Sequence, residues 1–348
     1  SYGYVSSFFI KELLKRNYDL RHIVIGQPDP DENLLPFIKD VISRWDFFYD
    51  APCLKIWHQH DLHSFTGKGP SIGFPIFELE EFFPHEKHSL SYPDFLFTCS
   101  EWGRQVFIDN DPARKDTSHV VPLGYDDEIF KPVDLPSPEK TIFGNFGKFE
   151  VRKGHDVLVD IFNKAFEKED NVVLAMMPHN FFLDQNQTNE WMNTYLSSKL
   201  GDKVQFIPRM KTQEMAYNIM RQVHCGIFPS RAEGWNLEAL ELLACGRHLI
   251  ITDCTGHTEF CNHSNSRLIN MTSGYESAFD GKFFHGDGSW RSIKEDEIDQ
   301  MVEHMREIHK LNQEGSLTIN TSGIESVKKF TWSNVTDILD DKLKTVTS

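Results

Sequence analysis

The chain has 348 residues, 39% hydrophobic and 25% charged, with 28 Phe and 7 Trp. That is too long for one ordinary core and supplies enough large apolar side chains for two. The formal net charge of −16 argues against a duplex-binding surface, which needs clustered cations to displace counterions from phosphate. A small anion held in one local basic site remains compatible with it.

No apolar run approaches the roughly 20 residues of a membrane-spanning helix. The opening Ser1-Tyr2-Gly3-Tyr4 does not read as a secretion signal. The expected placement is cytoplasmic, with a lipid acceptor the route to a membrane surface. Six cysteines, Cys53, Cys99, Cys225, Cys245, Cys254 and Cys261, are scattered without a CxxC pair and read as reduced core residues.

In chain order, Val5, Phe8, Phe9 and Leu13 lie at helical spacing. His22 to Gly26 reads as a buried strand, as do Leu54 to His58 and Phe95 to Cys99. Glu101 to Ile108 reads as a helix and His119 to Pro122 as a strand. Lys131-Pro132-Val133-Asp134-Leu135-Pro136-Ser137-Pro138 reads as an extended interdomain linker. Strands are then predicted at 141–146, 172–176, 203–207, 223–228 and 248–252, and helices at 155–166, 212–221 and 237–244. This alternation predicts an α/β fold with parallel sheets. The sequence opens in an apparent loop before the first helix, which implies that the strand preceding that helix is missing.

Two segments carry chemistry. Phe228-Pro229-Ser230-Arg231-Ala232-Glu233-Gly234-Trp235-Asn236-Leu237-Glu238-Ala239-Leu240-Glu241 runs from strand through a tight loop into a helix. A helix beginning near Asn236 aims its first N–H groups and its dipole at the loop, an anion site. Gly234 lets a ligand approach the backbone. Glu233 and Glu241 could bracket one elongated ligand; a solvated, Glu-rich helix after a turn is the plainer reading. The second segment runs Gly144-Asn145-Phe146-Gly147-Lys148-Phe149-Glu150-Val151-Arg152-Lys153-Gly154-His155. Its two lysines suit a diphosphate, and a basic surface turn is the alternative. Both segments fall at carboxyl ends of strands of one parallel sheet, where α/β proteins bind ligands.

Together these residues resemble the retaining glycosyltransferases of the GT-B fold, family 4 type (glycosyl transferases group 1). Gly147-Lys148 with Lys153-Gly154, and the Glu-x7-Glu pair Glu233 and Glu241, match that family's motifs. Phe206 to Met210, Ala244 to Gly246, Pro122 to Asp126 with Phe130 to Pro132, and Phe330-Thr331-Trp332 also resemble its segments.

The resemblance implies two Rossmann-like domains facing across a cleft. The acceptor-side domain would span 1–135, completed by a C-terminal helix crossing back at 331–348; the nucleotide-sugar domain would span 139–330. It further implies that Lys148 and Lys153 neutralise the donor diphosphate, that Glu241 takes the ribose hydroxyls and that Glu233 contacts the transferred sugar. Backbone N–H groups of Trp235, Asn236 and Leu237 would support sugar or phosphate, although Trp235-Asn236 departs from the commoner Phe-Gly pair. Arg209 and Met210 would hold the base, mainly through backbone.

In the first domain His58, His60 and His63 follow a strand. Metal binding and a polar loop are both open readings of that spacing; by resemblance His60, then His58, faces the transferred sugar. Gly3, in the loop before the first helix, would approach donor or acceptor. Phe65 to Phe83 is either a mobile acceptor wall or buried packing.

The expected partners are a nucleotide-sugar donor, UDP- or GDP-linked, and a glycan, lipid or small-molecule acceptor, with no nucleic acid. No cofactor and no metal are expected, since no Asp-x-Asp metal motif is apparent. The rivals are a nucleotide-sugar epimerase and a non-catalytic nucleotide-sugar-binding protein. A dehydrogenase is disfavoured because no Gly-x-Gly-x-x-Gly follows a strand.

Overall fold

The computed structural model describes residues 2–26 and 30–347. Residues 1, 27–29 and 348, all inside the expected domain bounds, lie outside the described residues. The chain divides into two compact units. The first runs to Asp126 and resumes at Lys329; the second spans Asp127–Lys328.

The first unit holds α1 (Tyr2–Lys15), α2 (Leu35–Ser43), β1 (Cys53–Ile56), β2 (Ser71–Phe74), α3 (Pro84–Leu90), β3 (Phe95–Thr98), α4 (Glu101–Asn110) and β4 (Ser118–Val120). Its four strands form a parallel sheet in the order β1-β2-β3-β4. The helical spacing at the start of the chain is realised in α1, which buries Val5, Phe8, Phe9 and Leu13. Gly3 lies inside this helix rather than in the expected loop. The helix extends back to Tyr2, whose hydroxyl donates to Ile76 O at 2.8 Å, and Ser7 Oγ donates to Gly3 O at 2.7 Å.

His22 to Gly26 forms no strand. A strand persists only where a neighbour satisfies its backbone groups, and no ladder pairs with this segment. Ile23 and Ile25 are exposed there. The Phe65 to Phe83 stretch contains β2 and buries Phe74, Phe77 and Phe82, so most of its aromatic content is packing.

The second unit runs β5 (Thr141–Asn145), α5 (His155–Ala165), β6 (Val172–Met176), α6 (Gln185–Leu196), β7 (Val204–Phe206), α7 (Gln213–Met220), β8 (Cys225–Phe228), α8 (Leu237–Ala244), β9 (His248–Thr252), β10 (Arg267–Ile269), β11 (Tyr275–Phe279), β12 (His285–Arg291), α9 (Glu295–Gln313) and α10 (Thr321–Val327). Six parallel strands, in the order β10-β9-β8-β5-β6-β7, make its sheet, while β11 and β12 form a separate antiparallel hairpin. The central strands are buried apolar runs, as a sheet covered on both faces requires, and α5, α9 and the sheet share one core. The order reverses beside β5 and β8, so the loops leaving these two strands sit at the topological switch point.

The proline-rich segment 131–138 is not a free linker. It belongs to the second unit, pinned by the buried Arg247, whose guanidinium donates to Val133 O and Asp134 O. A final helix, α11 (Trp332–Thr347), packs within the first unit, where Trp332 stacks on Phe8 at 5.0 Å. None of the six cysteines forms a disulfide among the described residues, and five are buried. Burial pushes the Cys225, Cys245 and Cys261 thiols up to about 12, which keeps them protonated and unreactive.

Candidate active site

The loop after β5 and the loop after β8 meet through a chain of buried charges. Lys153 Nζ lies 2.6 Å from Glu233 Oε1, and Arg152 Nη1 lies 2.9 Å from Glu233 Oε2. Arg152 also reaches Glu150 Oε2 at 2.9 Å, and Lys148 Nζ reaches Glu150 Oε1 at 2.7 Å. Three cations face two carboxylates, which leaves one net positive charge. Lys148 remains 38% exposed at its side chain, whereas the other four are almost buried.

Local structure explains this convergence. Gly154 has φ +75°, and a Cβ there would lie 1.9 Å from Pro229 O. Only glycine lets the basic loop close onto the residue that follows β8. At Gly147 a Cβ would meet Lys153 Cδ at 2.9 Å, so the lysine stem lies along bare backbone. The loop after β8 is fixed from its other side, where Glu233 N donates to Thr255 Oγ1 at 2.9 Å and Gly256 N donates to Glu233 O at 2.8 Å. Arg231 adds a fork to Asp156 at the start of α5, with both contacts at 2.8 Å.

Burial pushes the Glu233 carboxyl upward, but Lys153 and then Arg152 more than offset this and hold it far below the ordinary range. Glu150 behaves alike: burial raises it, and Arg152 with Lys148 lowers it further. For Lys153, burial disfavours the charge, while Glu233 and Glu238 overcome that and raise its pKa. Glu233, Glu150 and Lys153 are therefore charged at neutral pH.

Asn236 caps α8, with its Oδ1 accepting from Ala239 N at 3.1 Å. Its φ of +95° is uncommon for a residue with a Cβ, and such conformations persist where surroundings over-determine them. His257 Nδ1–H donates to Thr252 O at 2.9 Å, which leaves Nε2 to accept from Asn236 Nδ2 at 3.0 Å. Both ends of the Asn236 amide are thus occupied, so what the start of α8 can offer a ligand is backbone N–H. Trp235 is buried against Phe260. Glu241 lies buried just over one turn into α8, while Arg209 and Met210 follow β7, with Arg209 over the Phe181 ring at 4.6 Å.

Lys153 and Glu233, predicted from sequence, are thus in direct contact, and Lys148 joins them through Glu150 and Arg152. Neither Glu150 nor Arg152 was singled out from sequence, nor were Thr255 and His257. The first two sat in the quoted motif as one acidic and one basic residue among several. A glutamate shared with a residue some eighty positions away has no local sequence signal.

In the first unit, His60 lies on a short 3-10 turn (Gln59–Asp61) after β1, exposed and stacked on His58 at 5.1 Å. His58 Nδ1 is 3.4 Å from the Tyr2 hydroxyl, and His63 faces Asp61 at 3.5 Å. Among the described residues no group of three His, Cys, Asp or Glu side chains is placed to hold a metal ion. No helix among them is long and apolar enough to cross a membrane.

Burial also pulls His155 and His257 from 6.5 down to about 4. Between those pH values the unfolded chain binds protons that the folded chain refuses. Stability is therefore complete above pH 6.5 and declines as pH falls toward 4, by up to roughly 3 kcal/mol per histidine. Urea midpoints should drop between pH 7 and pH 5, and less steeply in His257→Gln. Identical slopes in the two proteins would refute the assignment.

The fold and this loop pair define a GT-B architecture of two Rossmann-like units, and the solved structures that resemble the chain share it. HepE of Anabaena, determined with UDP and glucose, matches 80% of this chain and 72% of its own with a TM-score of 0.59 at 15% identity. Sucrose-phosphate synthase from Thermosynechococcus elongatus matches 80% of this chain and 68% of its own, with a TM-score of 0.59 at 15% identity.

The family described as glycosyl transferases group 1 matches residues 140–279, most of the second unit. Mannosylfructose-phosphate synthase of Agrobacterium fabrum is 25% identical over 277 residues, 70% of this chain and 60% of that protein. The chain thus spans less than two thirds of that curated relative. The family resemblance read from the motifs is borne out by these matches.

Proposed function

We propose that this chain is a glycosyltransferase that moves a hexose from a nucleoside diphosphate sugar to an acceptor hydroxyl, with retention at the anomeric carbon and without a metal ion. The observation that carries the reading is the Lys153–Glu233 contact. It puts a cation for the leaving diphosphate and a carboxylate for sugar hydroxyls side by side, next to a helix N-terminus.

In the reaction the bond from C1 to the diphosphate oxygen breaks as the acceptor oxygen bonds to C1 on the same face. The acceptor proton passes to the departing phosphate. Negative charge grows on the diphosphate, where Lys148, Lys153 and the first N–H groups of α8 stabilise it. The positive charge that a metal supplies to other sugar transferases comes here from side chains. Glu233 orients the transferred sugar, Glu241 holds the ribose, and Arg209 with Met210 flanks the base. His60, supported by His58, is assigned to the sugar from the first unit.

HepE and TarM of Staphylococcus aureus were determined with UDP, which favours a uridine donor. Mannosylfructose-phosphate synthase and sucrose-phosphate synthase, by their names, make phosphorylated disaccharides, so sugar phosphates belong in any acceptor panel. The test is release of nucleoside diphosphate from UDP- and GDP-sugars with an acceptor panel, in the presence and absence of EDTA. Acceptor-dependent release that survives EDTA is expected. Donor conversion without acceptor would indicate an epimerase, and donor binding without release a silent binding protein; either would overturn the reading.

A further inference from the structure

The family match ends at residue 279, inside the β11–β12 hairpin (Tyr275–Phe279 and His285–Arg291). The hairpin tip and its second strand therefore lie outside the matched segment. The hairpin is tied to the loop after β8. Glu276 accepts from Arg231 Nε at 2.9 Å, from Ser292 Oγ at 2.8 Å and from Trp290 Nε1 at 3.2 Å. Arg291 N donates to Arg231 O at 3.2 Å. Arg231 in turn holds Val151 O and Asp156 of the basic loop and α5.

This anchoring brings the tip to Lys148. The ammonium of Lys148 lies 5.7 Å from the Phe182 ring centroid and 5.9 Å from that of Phe283. The two rings meet edge to face at 5.8 Å, and Lys282 at the tip donates to Gln187 on α6. Phe181 and Phe182 are 70% and 66% exposed, on a loop held in shape by the buried Asn180, which donates to Phe149 O and accepts from Phe182 N. Large aromatic rings kept in solvent on an ordered loop lose apolar burial, and one of them, Phe182, lies with Phe283 beside the most exposed cation of the cluster.

We infer that Phe182 of the loop after β6 and Phe283 of the hairpin tip form an aromatic wall that stacks the nucleoside of the donor while Lys148 holds its phosphate. The inference rests on the reading of this unit as a nucleoside diphosphate site. A ligand with a flat π-face joined to a short anion matches rings placed within 6 Å of a partly exposed ammonium. Stacking of a base on an aromatic side chain changes affinity by roughly 5- to 150-fold.

The experiment compares calorimetric affinities for UDP, GDP and inorganic pyrophosphate in the wild-type chain and in F182A/F283A. Phe182 is exposed and Phe283 partly buried, and a second variant, F182L/F283L, keeps apolar bulk while removing the π-faces. The wild-type chain should bind a nucleoside diphosphate at least tenfold tighter than pyrophosphate. Both variants should lose at least tenfold toward the nucleoside diphosphate and less than twofold toward pyrophosphate. Unchanged nucleoside diphosphate affinity, or an equal loss for both ligands, would overturn the wall. A wild-type chain that binds neither ligand would instead overturn the underlying reading of the site.

Discussion

Replacing Glu233 by Gln is expected to lower sugar transfer at least 100-fold while nucleoside diphosphate affinity rises several-fold. The carboxylate accepts from Lys153 at 2.6 Å and from Arg152 at 2.9 Å. Without its charge the cluster gains one net positive charge, and Lys153 is released to a phosphate. Binding of the anion therefore improves. The contact to the transferred sugar weakens, and a 100-fold loss corresponds to roughly 3 kcal/mol of barrier. The ligand-free variant should also be less stable by about 3–5 kcal/mol, because two buried cations lose the carboxylate they share. Saturating nucleoside diphosphate should recover much of this, about 2.7 kcal/mol at a concentration one hundred times Kd. Thermal unfolding with and without ligand, alongside turnover, checks all three effects.

Lys153→Ala is expected to move affinity the other way. Turnover should fall by roughly 100- to 1,000-fold, the scale for removing one preorganised group from a developing oxyanion. Nucleoside diphosphate affinity should fall as well, by at least tenfold. Glu233 keeps Arg152 and the Ser230 hydroxyl, at 2.9 and 3.1 Å, so folding should suffer less than in E233Q, by about 1–3 kcal/mol. The two variants therefore share a direction in turnover and oppose each other in binding. A merely structural ion pair would give no such opposition. Matching losses of affinity in both would sink the assignment of Lys153 to the diphosphate.

The parts of this fold that were legible in the sequence are those where one local rule decides. The helix at Leu237–Ala244 follows a capping asparagine and an apolar run, and it forms at those bounds. Val172–Met176 is an uninterrupted apolar run, and His248–Thr252 is apolar or β-branched after its first residue; both form strands there. The family motifs located Lys153 and Glu233, which proved to touch.

Where partners lie far along the chain, the sequence was silent. Ser71–Phe74 follows Gly67-Lys68-Gly69-Pro70, whose turn signals conceal a four-residue buried strand. His22 to Gly26 has strand composition but no ladder to join. Segment 131–138 has linker composition but is held by Arg247, more than a hundred residues away. The hairpin of Tyr275–Phe279 and His285–Arg291 is glycine-bearing and largely exposed, so no apolar alternation betrays it. Arg152 and His257 act through residues on other loops, and only the folded chain assembles those pairs.

The central claim is that the basic loop and the glutamate loop together grip the diphosphate of a sugar donor. The most direct measurement is a crystal structure of the chain with a nucleoside diphosphate bound. The account predicts phosphate oxygens within hydrogen-bond distance of Lys153 Nζ and the first N–H groups of α8, with Glu233 released from Lys153. Phosphates bound elsewhere on the unit, with the Lys153–Glu233 contact undisturbed, would contradict it.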